Sequence, residues 1–105
     1  MGFFDLLFGQ RKRLVLEALE NGACIIDVRS PEEFKHGHVV GSLNMPVDRL
    51  NASAIKRLRK LNVPLVVCCA SGMRSASAKG ILLENGLAEV HNAGSWHKLY
   101  RWVNN

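Results

Sequence analysis

The residues best suited to chemistry in this chain are a cysteine, a glycine and an arginine that lie close together. Gly72 follows Cys69 by three positions, and Arg74 follows it by five. A cysteine thiolate is a strong nucleophile, and glycine tolerates the positive φ that turns backbone amides toward one point. An arginine guanidinium supplies a fixed charge that suits sulfur or phosphorus oxyanions. We therefore expect an anion-binding loop around a nucleophilic cysteine, formed by Cys69, Ala70, Ser71, Gly72, Met73 and Arg74.

The segments on either side of this loop predict where it lies. The apolar run at residues 65–68 is typical of a central strand, and residues 75–85 have the pattern of a helix that ends at Gly86. Ligands of open α/β sheets bind outside the carboxyl ends of the strands, and a helix N-terminus presents N–H groups and positive potential to an anion. Such surroundings lower the pKa of a cysteine from about 8.5 to between about 3.5 and 7.5. The position therefore favours a Cys69 thiolate over the thiol.

The rest of the chain alternates short apolar runs with helical patterns, which predicts an α/β fold with a mostly parallel sheet. Strands are expected at residues 23–28, 42–45, 65–68 and 89–91, and helices at 12–21, 52–60, 75–85 and from 96 onward. A short helix is expected after Ser30, with Pro31 in its first turn and Glu33 completing a capping box. In the last helix we expect a stripe of core residues formed by Trp96, Leu99, Tyr100 and Val103.

Length and composition limit the class of protein. The 105 residues suit one compact domain, and 48% hydrophobic with 22% charged residues is ordinary for a globular protein. The three cysteines include the neighbours Cys68 and Cys69, which argues against a disulfide framework and favours a reducing, cytoplasmic location. A net charge of +5 favours small anions, and nothing in the sequence resembles a nucleic-acid-binding motif.

The first residues are expected to form a separate element. The apolar run at residues 3–8 is interrupted by Asp5 and is followed, not preceded, by basic residues. It is too short to span a bilayer, and its order of charge is wrong for a secretory signal. We expect an amphipathic segment at residues 1–13 that packs on a domain at 14–105, without stable membrane insertion. Weak membrane or partner contact is the alternative.

The loop and its surroundings resemble the rhodanese family. The run from Cys69 to Arg74 resembles that family's six-residue active-site loop, C-x-x-G-x-R. Residues 26–34, 37–42 and 44–46 resemble the family's first motif blocks, and residues 92–96 resemble its closing Gly-Trp segment. These blocks follow one another in family order, so the resemblance covers most of the chain.

The resemblance implies both a fold and an activity. The implied fold has three layers, with a central, mostly parallel five-stranded sheet flanked by helices. The implied activity is sulfur transfer, in which Cys69 takes the outer sulfur of a donor such as thiosulfate or a persulfide and passes it to cyanide or a cellular thiol. No metal or organic cofactor is implied, and a sulfur-relay protein is a candidate partner. Ala70 stands where many members carry a basic or larger residue, which weakens the case for thiosulfate as the natural donor.

The roles of the remaining polar residues are less determined. Asp27 and Arg29 follow the first predicted strand, where they either form a surface salt bridge or, as the family resemblance implies, brace the active loop. His36 and His38 are expected to be non-catalytic, because no third residue has the spacing of a metal ligand.

Other interpretations of the loop stay open. Counted from Cys68, Arg74 completes the C-x5-R frame of tyrosine-type phosphatases, but that frame needs a glycine one position before Gly72. Neighbours in a strand face opposite sides, so Cys68 is expected to point away from Cys69. A phosphatase or arsenate reductase is thus the weaker enzymatic alternative. A persulfide carrier without turnover on small acceptors and an inactive regulatory domain are the two non-enzymatic ones.

Overall fold

The structure is a computed structural model that describes residues 3–104, with side chains from residue 9 onward. The elements in chain order are α1 (Phe3–Glu20), β1 (Cys24–Asp27), α2 (Pro31–His36), β2 (Leu43–Asn44), a 3₁₀ turn (Val47–Arg49), α3 (Ala52–Leu61), β3 (Leu65–Cys69), α4 (Met73–Glu84), β4 (Val90–Ser95) and α5 (Trp96–Val103). The predicted alternation of strands and helices is confirmed.

The described strands form one parallel sheet in the order β2-β1-β3-β4. The expected α/β fold with a parallel sheet is confirmed, but the sheet of the described residues has four strands rather than five. The apolar runs of the sequence account for four strands only, and the fifth was implied by family resemblance. Among the described residues that precede β1, Phe3–Glu20 form the helix α1, and none forms an edge strand.

Alternation along β3 divides the core between the two faces of the sheet. Leu65, Val67 and Cys69 face the cluster that α3 and α4 complete, whereas Val66 and Cys68 face the cluster under α1 and α5. All five residues are fully or almost fully buried, as expected for a central parallel strand. The fold is therefore a three-layer arrangement of helices on both faces of one sheet.

Two helices differ from the sequence-based expectation. The first helix begins at Phe3, nine residues before the predicted start at residue 12. The predicted packing of residues 1–13 stays a prediction, because the side chains of residues 1–8 lie outside the described ones. Among the described residues, no helix is long and apolar enough to cross a membrane.

The predicted stripe of α5 is half wrong. Leu99 is buried and Trp96 is half-buried, but Tyr100 and Val103 are 46% and 37% exposed. Trp102 packs on the core in their place. The helix lies with positions 96, 99 and 102 toward the sheet, a narrower face than the i, i+3, i+4, i+7 pattern assumes.

The short helix α2 has the predicted capping box. Ser30 Oγ accepts a hydrogen bond from the Glu33 backbone N–H at 3.3 Å, and Glu33 Oε1 accepts one from the Ser30 N–H at 3.2 Å. Pro31 occupies the first turn, where its missing N–H costs no hydrogen bond. The box fixes the Glu33 side chain at the carboxyl end of the sheet, because α2 follows β1 directly.

Candidate active site

Cys69 is the last residue of β3, and its sulfur lies inside the loop that leads into α4. The Gly72 backbone N–H donates to Cys69 Sγ at 2.9 Å, and the Ser75 N–H donates to it at 3.4 Å. Gly72 has φ of 102°, the left-handed conformation that turns its amide toward the sulfur. Two backbone N–H groups therefore point at the Cys69 sulfur, and the role of the loop in binding anions stays a prediction.

The surroundings of Cys69 favour the thiolate. Burial raises the pKa of the thiol, but hydrogen bonds from the Ser75 side chain and from the backbone amides of Ser75, Gly72 and Ser71 outweigh it. The net result is a Cys69 pKa below its ordinary value. A lowered pKa in a loop at the N-terminus of a helix is characteristic of reactive cysteines.

A hydroxyl behind the sulfur was missed in the sequence. Ser75 Oγ lies 3.4 Å from Cys69 Sγ, 3.1 Å from the Gly72 carbonyl oxygen and 2.7 Å from Asn92 Oδ1. Ser75 is completely buried, so its hydroxyl exchanges hydrogen bonds only inside this network. The sequence does hold a signal for this role, because Ser75 lies six residues after Cys69 in the first turn of the helix that follows it.

Asn92 reaches the site through an irregularity in β4. Val67 pairs with Asn92, but Cys68 pairs with Gly94, so Ala93 is an extra residue in the ladder. Asn92 Oδ1 lies 2.7 Å from Ser75 Oγ and accepts a hydrogen bond from the Gly94 N–H at 2.8 Å. Bulges commonly aim side chains into sites, and the sequence alone gives no position for one.

The loop rim is exposed while the sulfur is covered. Ala70, Ser71 and Met73 are exposed, and Met73 keeps 79% of its surface in contact with solvent. Cys69 itself has no exposed surface.

Cys68 differs from Cys69 in the face of the sheet that it occupies and in the direction of its pKa shift. Its side chain lies on the opposite face of the sheet, as predicted from strand alternation. Burial raises the pKa of the Cys68 thiol far above its ordinary value, and the charge of Asp27 adds to that effect. Cys68 is a core residue and remains a thiol at neutral pH.

Arg74 does not lie free over the sulfur. Its Nη1 and Nη2 donate to Glu33 Oε1 and Oε2 at 2.7 Å and 3.0 Å. The two side chains are 39% and 38% exposed. The sequence predicts oxyanion binding for Arg74 and only a helix cap for Glu33, so the pairing between them is a new feature of the site.

Asp27 and Arg29 form a buried ion pair at the end of β1. Their exposed fractions are 0% and 4%, which excludes the surface salt bridge considered from the sequence. Arg29 Nη2 donates to Asp27 Oδ2 and to the Gly37 carbonyl oxygen, each at 2.7 Å, and its guanidinium lies 4.6 Å from the Trp96 ring centre. The pair thus joins β1 to the segments that follow α2 and β4.

The two histidines of this region have structural surroundings. His38 Nδ1 lies 2.7 Å from the Phe34 carbonyl oxygen, and its ring stacks on the Phe34 ring at 3.7 Å. His36 is exposed at the end of α2. Over the described part of the chain, no group of three or more His, Cys, Asp or Glu side chains could hold a metal ion.

Cys69 thus lies between a central parallel strand and a helix, where ligands of open α/β sheets usually bind. The family model of the rhodanese-like domain matches residues 12–101. The chain belongs to the rhodanese-like family.

Curated relatives in this family carry the name of an activity. The thiosulfate sulfurtransferase GlpE of Pseudomonas aeruginosa is 33% identical over 89 residues, which are 85% of this chain and 79% of that protein. The thiosulfate sulfurtransferase PspE of Escherichia coli is 38% identical over 69 residues, 66% of each chain.

Solved structures agree with the fold. A rhodanese with anions from E. coli has a TM-score of 0.66 and 34% identity, covering 72% of this chain and 89% of that one. The human single-domain sulfurtransferase TSTD1 has a TM-score of 0.65 and 28% identity, covering 85% and 91%.

Proposed function

We propose that this protein is a sulfurtransferase of the thiosulfate sulfurtransferase type, with Cys69 as the sulfur-carrying nucleophile. The observation that carries the proposal is the set of donors around Cys69 Sγ, led by the Gly72 N–H at 2.9 Å. Relatives named thiosulfate sulfurtransferase support the same activity. The loop from Cys69 to Arg74 forms the substrate site, and Asp27 and Arg29 brace it.

The first half-reaction forms a persulfide. The Cys69 thiolate attacks the outer sulfur of thiosulfate, a bond forms between the two sulfurs, and the sulfur–sulfur bond of thiosulfate breaks. Sulfite leaves with the electron pair, so Cys-S⁻ and S₂O₃²⁻ become Cys-S-S⁻ and SO₃²⁻. The backbone amides that hold the thiolate are available to the persulfide anion, because the negative charge moves outward by one sulfur only.

The second half-reaction regenerates the Cys69 thiolate. Cyanide or a thiolate attacks the outer sulfur of the persulfide, and the Cys69 thiolate leaves. With cyanide the product is thiocyanate, and the sum is a ping-pong transfer that needs no metal or organic cofactor. The proposed natural acceptor is a cellular thiol or a sulfur-relay protein in a reducing, cytoplasmic compartment.

Two properties of the site favour sulfur transfer over phosphate ester cleavage. Cys69 has no exposed surface inside its short loop, which suits one added atom better than a tetrahedral phosphate. The loop arginine, Arg74, is already held by both oxygens of Glu33 and is not free to cradle three phosphate oxygens.

Thiocyanate formation from thiosulfate and cyanide tests the proposal. The wild-type protein and Cys68→Ala are expected to form thiocyanate, and Cys69→Ser is expected to lose the activity to background. The two cysteines are adjacent, so each variant controls for the other. Activity that survives in Cys69→Ser, or its absence from the wild type with every sulfane donor, contradicts the proposal.

A further inference from the structure

The charge of the active loop is neutralised from outside the loop. Arg74 is the only charged residue between Cys69 and Ser75. Both of its terminal nitrogens donate to the carboxylate of Glu33, 41 residues away in the sequence. A bidentate arginine–carboxylate pair of this kind fixes both position and charge. The loop that must receive an anionic donor therefore has no uncompensated positive side-chain charge.

Glu33 is held in place independently of Arg74. Its Oε1 also accepts hydrogen bonds from the Ser30 N–H at 3.2 Å and from Ser30 Oγ at 3.1 Å. The hydrogen bonds from Arg74 and Ser30 hold the pKa of Glu33 at about 2. The carboxylate is therefore positioned by the cap of α2 and is ionised at neutral pH.

Arg74 is close enough to the sulfur for its charge to matter. It immediately precedes Ser75, whose N–H and hydroxyl both lie 3.4 Å from Cys69 Sγ. It also lines a cleft of about 300 Å³ with Ser30, Pro46 and Arg49. The charges of Arg74 and Cys69 interact, so the net charge of the Glu33–Arg74 pair acts on an anion that binds at Cys69.

We propose that Glu33 determines the donor preference of this site by neutralising Arg74, so that donors with one negative charge are favoured over the thiosulfate dianion. The inference rests on the proposed sulfur transfer. A dianion gains little attraction from a neutral pair, and the Cys69 thiolate repels it more strongly than it repels a monoanion. A thiosulfonate or a persulfide carries one charge fewer, and so loses less from the same surroundings.

A matched pair of donors measures this preference. Thiosulfate and methanethiosulfonate react at the same outer sulfur, and each leaves Cys69 as a persulfide. With methanethiosulfonate the leaving group is methanesulfinate, so Cys-S⁻ and CH₃SO₂S⁻ become Cys-S-S⁻ and CH₃SO₂⁻. The two donors differ by one negative charge, so the ratio of their kcat/KM values reports the charge of the site.

The variant Glu33→Gln removes the charge but keeps the cap. Glutamine at this position can still accept from the Ser30 N–H, since capping boxes use Glu or Gln. The control is Glu32→Gln, which removes the same charge from an exposed neighbour in the first turn of α2. Urea unfolding of both variants checks that the fold is kept.

The expected result is a change in donor ratio for one variant only. In Glu33→Gln, kcat/KM for thiosulfate rises about three- to fivefold relative to methanethiosulfonate, mainly through KM, as for loss of an exposed ion pair. In Glu32→Gln the ratio stays within error of the wild type. An unchanged ratio in Glu33→Gln, or an equal rise in both variants, overturns the inference.

Alkylation of Cys69 separates this inference from the proposed function. Iodoacetate is anionic and iodoacetamide is neutral, and neither needs sulfur transfer to react. The ratio of their rates at Cys69 is expected to rise in Glu33→Gln and to stay constant in Glu32→Gln. A wild type that forms no persulfide contradicts the proposed function, while an unchanged alkylation ratio contradicts the role of Glu33.

Discussion

The backbone N–H of Gly72 points at Cys69 Sγ over 2.9 Å, and the left-handed φ of Gly72, 102°, is what turns it there. A side chain at position 72 meets two obstacles. An L-residue at this φ costs about 1–2 kcal/mol, and a Cβ atom would lie 3.3 Å from the Gly94 Cα. The chemistry of the sulfur and the conformation of the loop thus depend on the same glycine.

Gly72→Ala is expected to raise the pKa of Cys69 and to destabilise the protein by about 1–2 kcal/mol or more. The amide of residue 72 turns away from the sulfur when the backbone relieves its strain. The pH dependence of iodoacetamide alkylation measures the first effect, and urea unfolding measures the second. Gly22→Ala is the control, since Gly22 has φ of 85° with no atom within 4 Å of its added Cβ. It should lose stability without any change at Cys69, and an equal pKa change in both variants would contradict the account.

Ser75→Ala tests the hydroxyl behind the sulfur. The hydrogen bond from Ser75 stabilises the thiolate, so its removal raises the pKa of Cys69. A hydrogen bond to a charged group is worth about 1.5 kcal/mol or more, so alkylation near pH 7 should slow by about tenfold. Ser77→Ala, an exposed change on the same helix, should have no effect. Equal alkylation rates for Ser75→Ala and wild type would contradict the claim that Ser75 lowers the pKa of Cys69.

The pH profile of the wild type distinguishes the two adjacent cysteines. The pKa of Cys69 is lowered and that of Cys68 is raised, so alkylation mapped by peptide should occur at Cys69 and level off below the ordinary thiol pKa of about 8.5. A lowered pKa also links to stability: the contribution of the Cys69 thiolate is lost as the pH falls through the folded pKa. Urea unfolding should therefore show a gain in stability from Cys69 as the pH rises toward 8.5. The reverse slope, abolished in Cys69→Ser, would contradict the assignment.

Asp27→Asn is expected to be strongly destabilising. It leaves the buried guanidinium of Arg29 without its carboxylate partner, and removing one partner of a buried pair costs about 3–5 kcal/mol. Glu17→Gln is the comparison, because its pair with Arg13 is exposed and 3.9 Å long. That change should cost about 1 kcal/mol or less in urea unfolding. Similar losses for the two variants would show that the Asp27 pair does not support the fold.

The site was predictable from sequence where the information is local. Strand alternation separated Cys69 from Cys68, because successive side chains in a strand face opposite sides. The spacing of Gly72 after Cys69 predicted the left-handed turn, and Ser30 predicted the cap of α2. Each of these features depends on residues no more than a few positions apart.

The features that sequence analysis missed depend on contacts between distant segments. The Glu33–Arg74 pair joins two elements that meet only because α2 and α4 both begin at the carboxyl end of the sheet. Asn92 reaches Ser75 through a bulge for which the sequence carries no clear signal. The prediction of a fifth strand was wrong for another reason. It came from family resemblance alone, and no apolar run in the sequence corresponds to it.

Peptide-mapped mass spectrometry after brief incubation with thiosulfate tests the central claim most directly. The account predicts one added sulfur on Cys69, absent from Cys69→Ser, retained in Cys68→Ala and removed by cyanide. Added sulfur on Cys68, or none on Cys69 from thiosulfate, a thiosulfonate or a polysulfide, would contradict it.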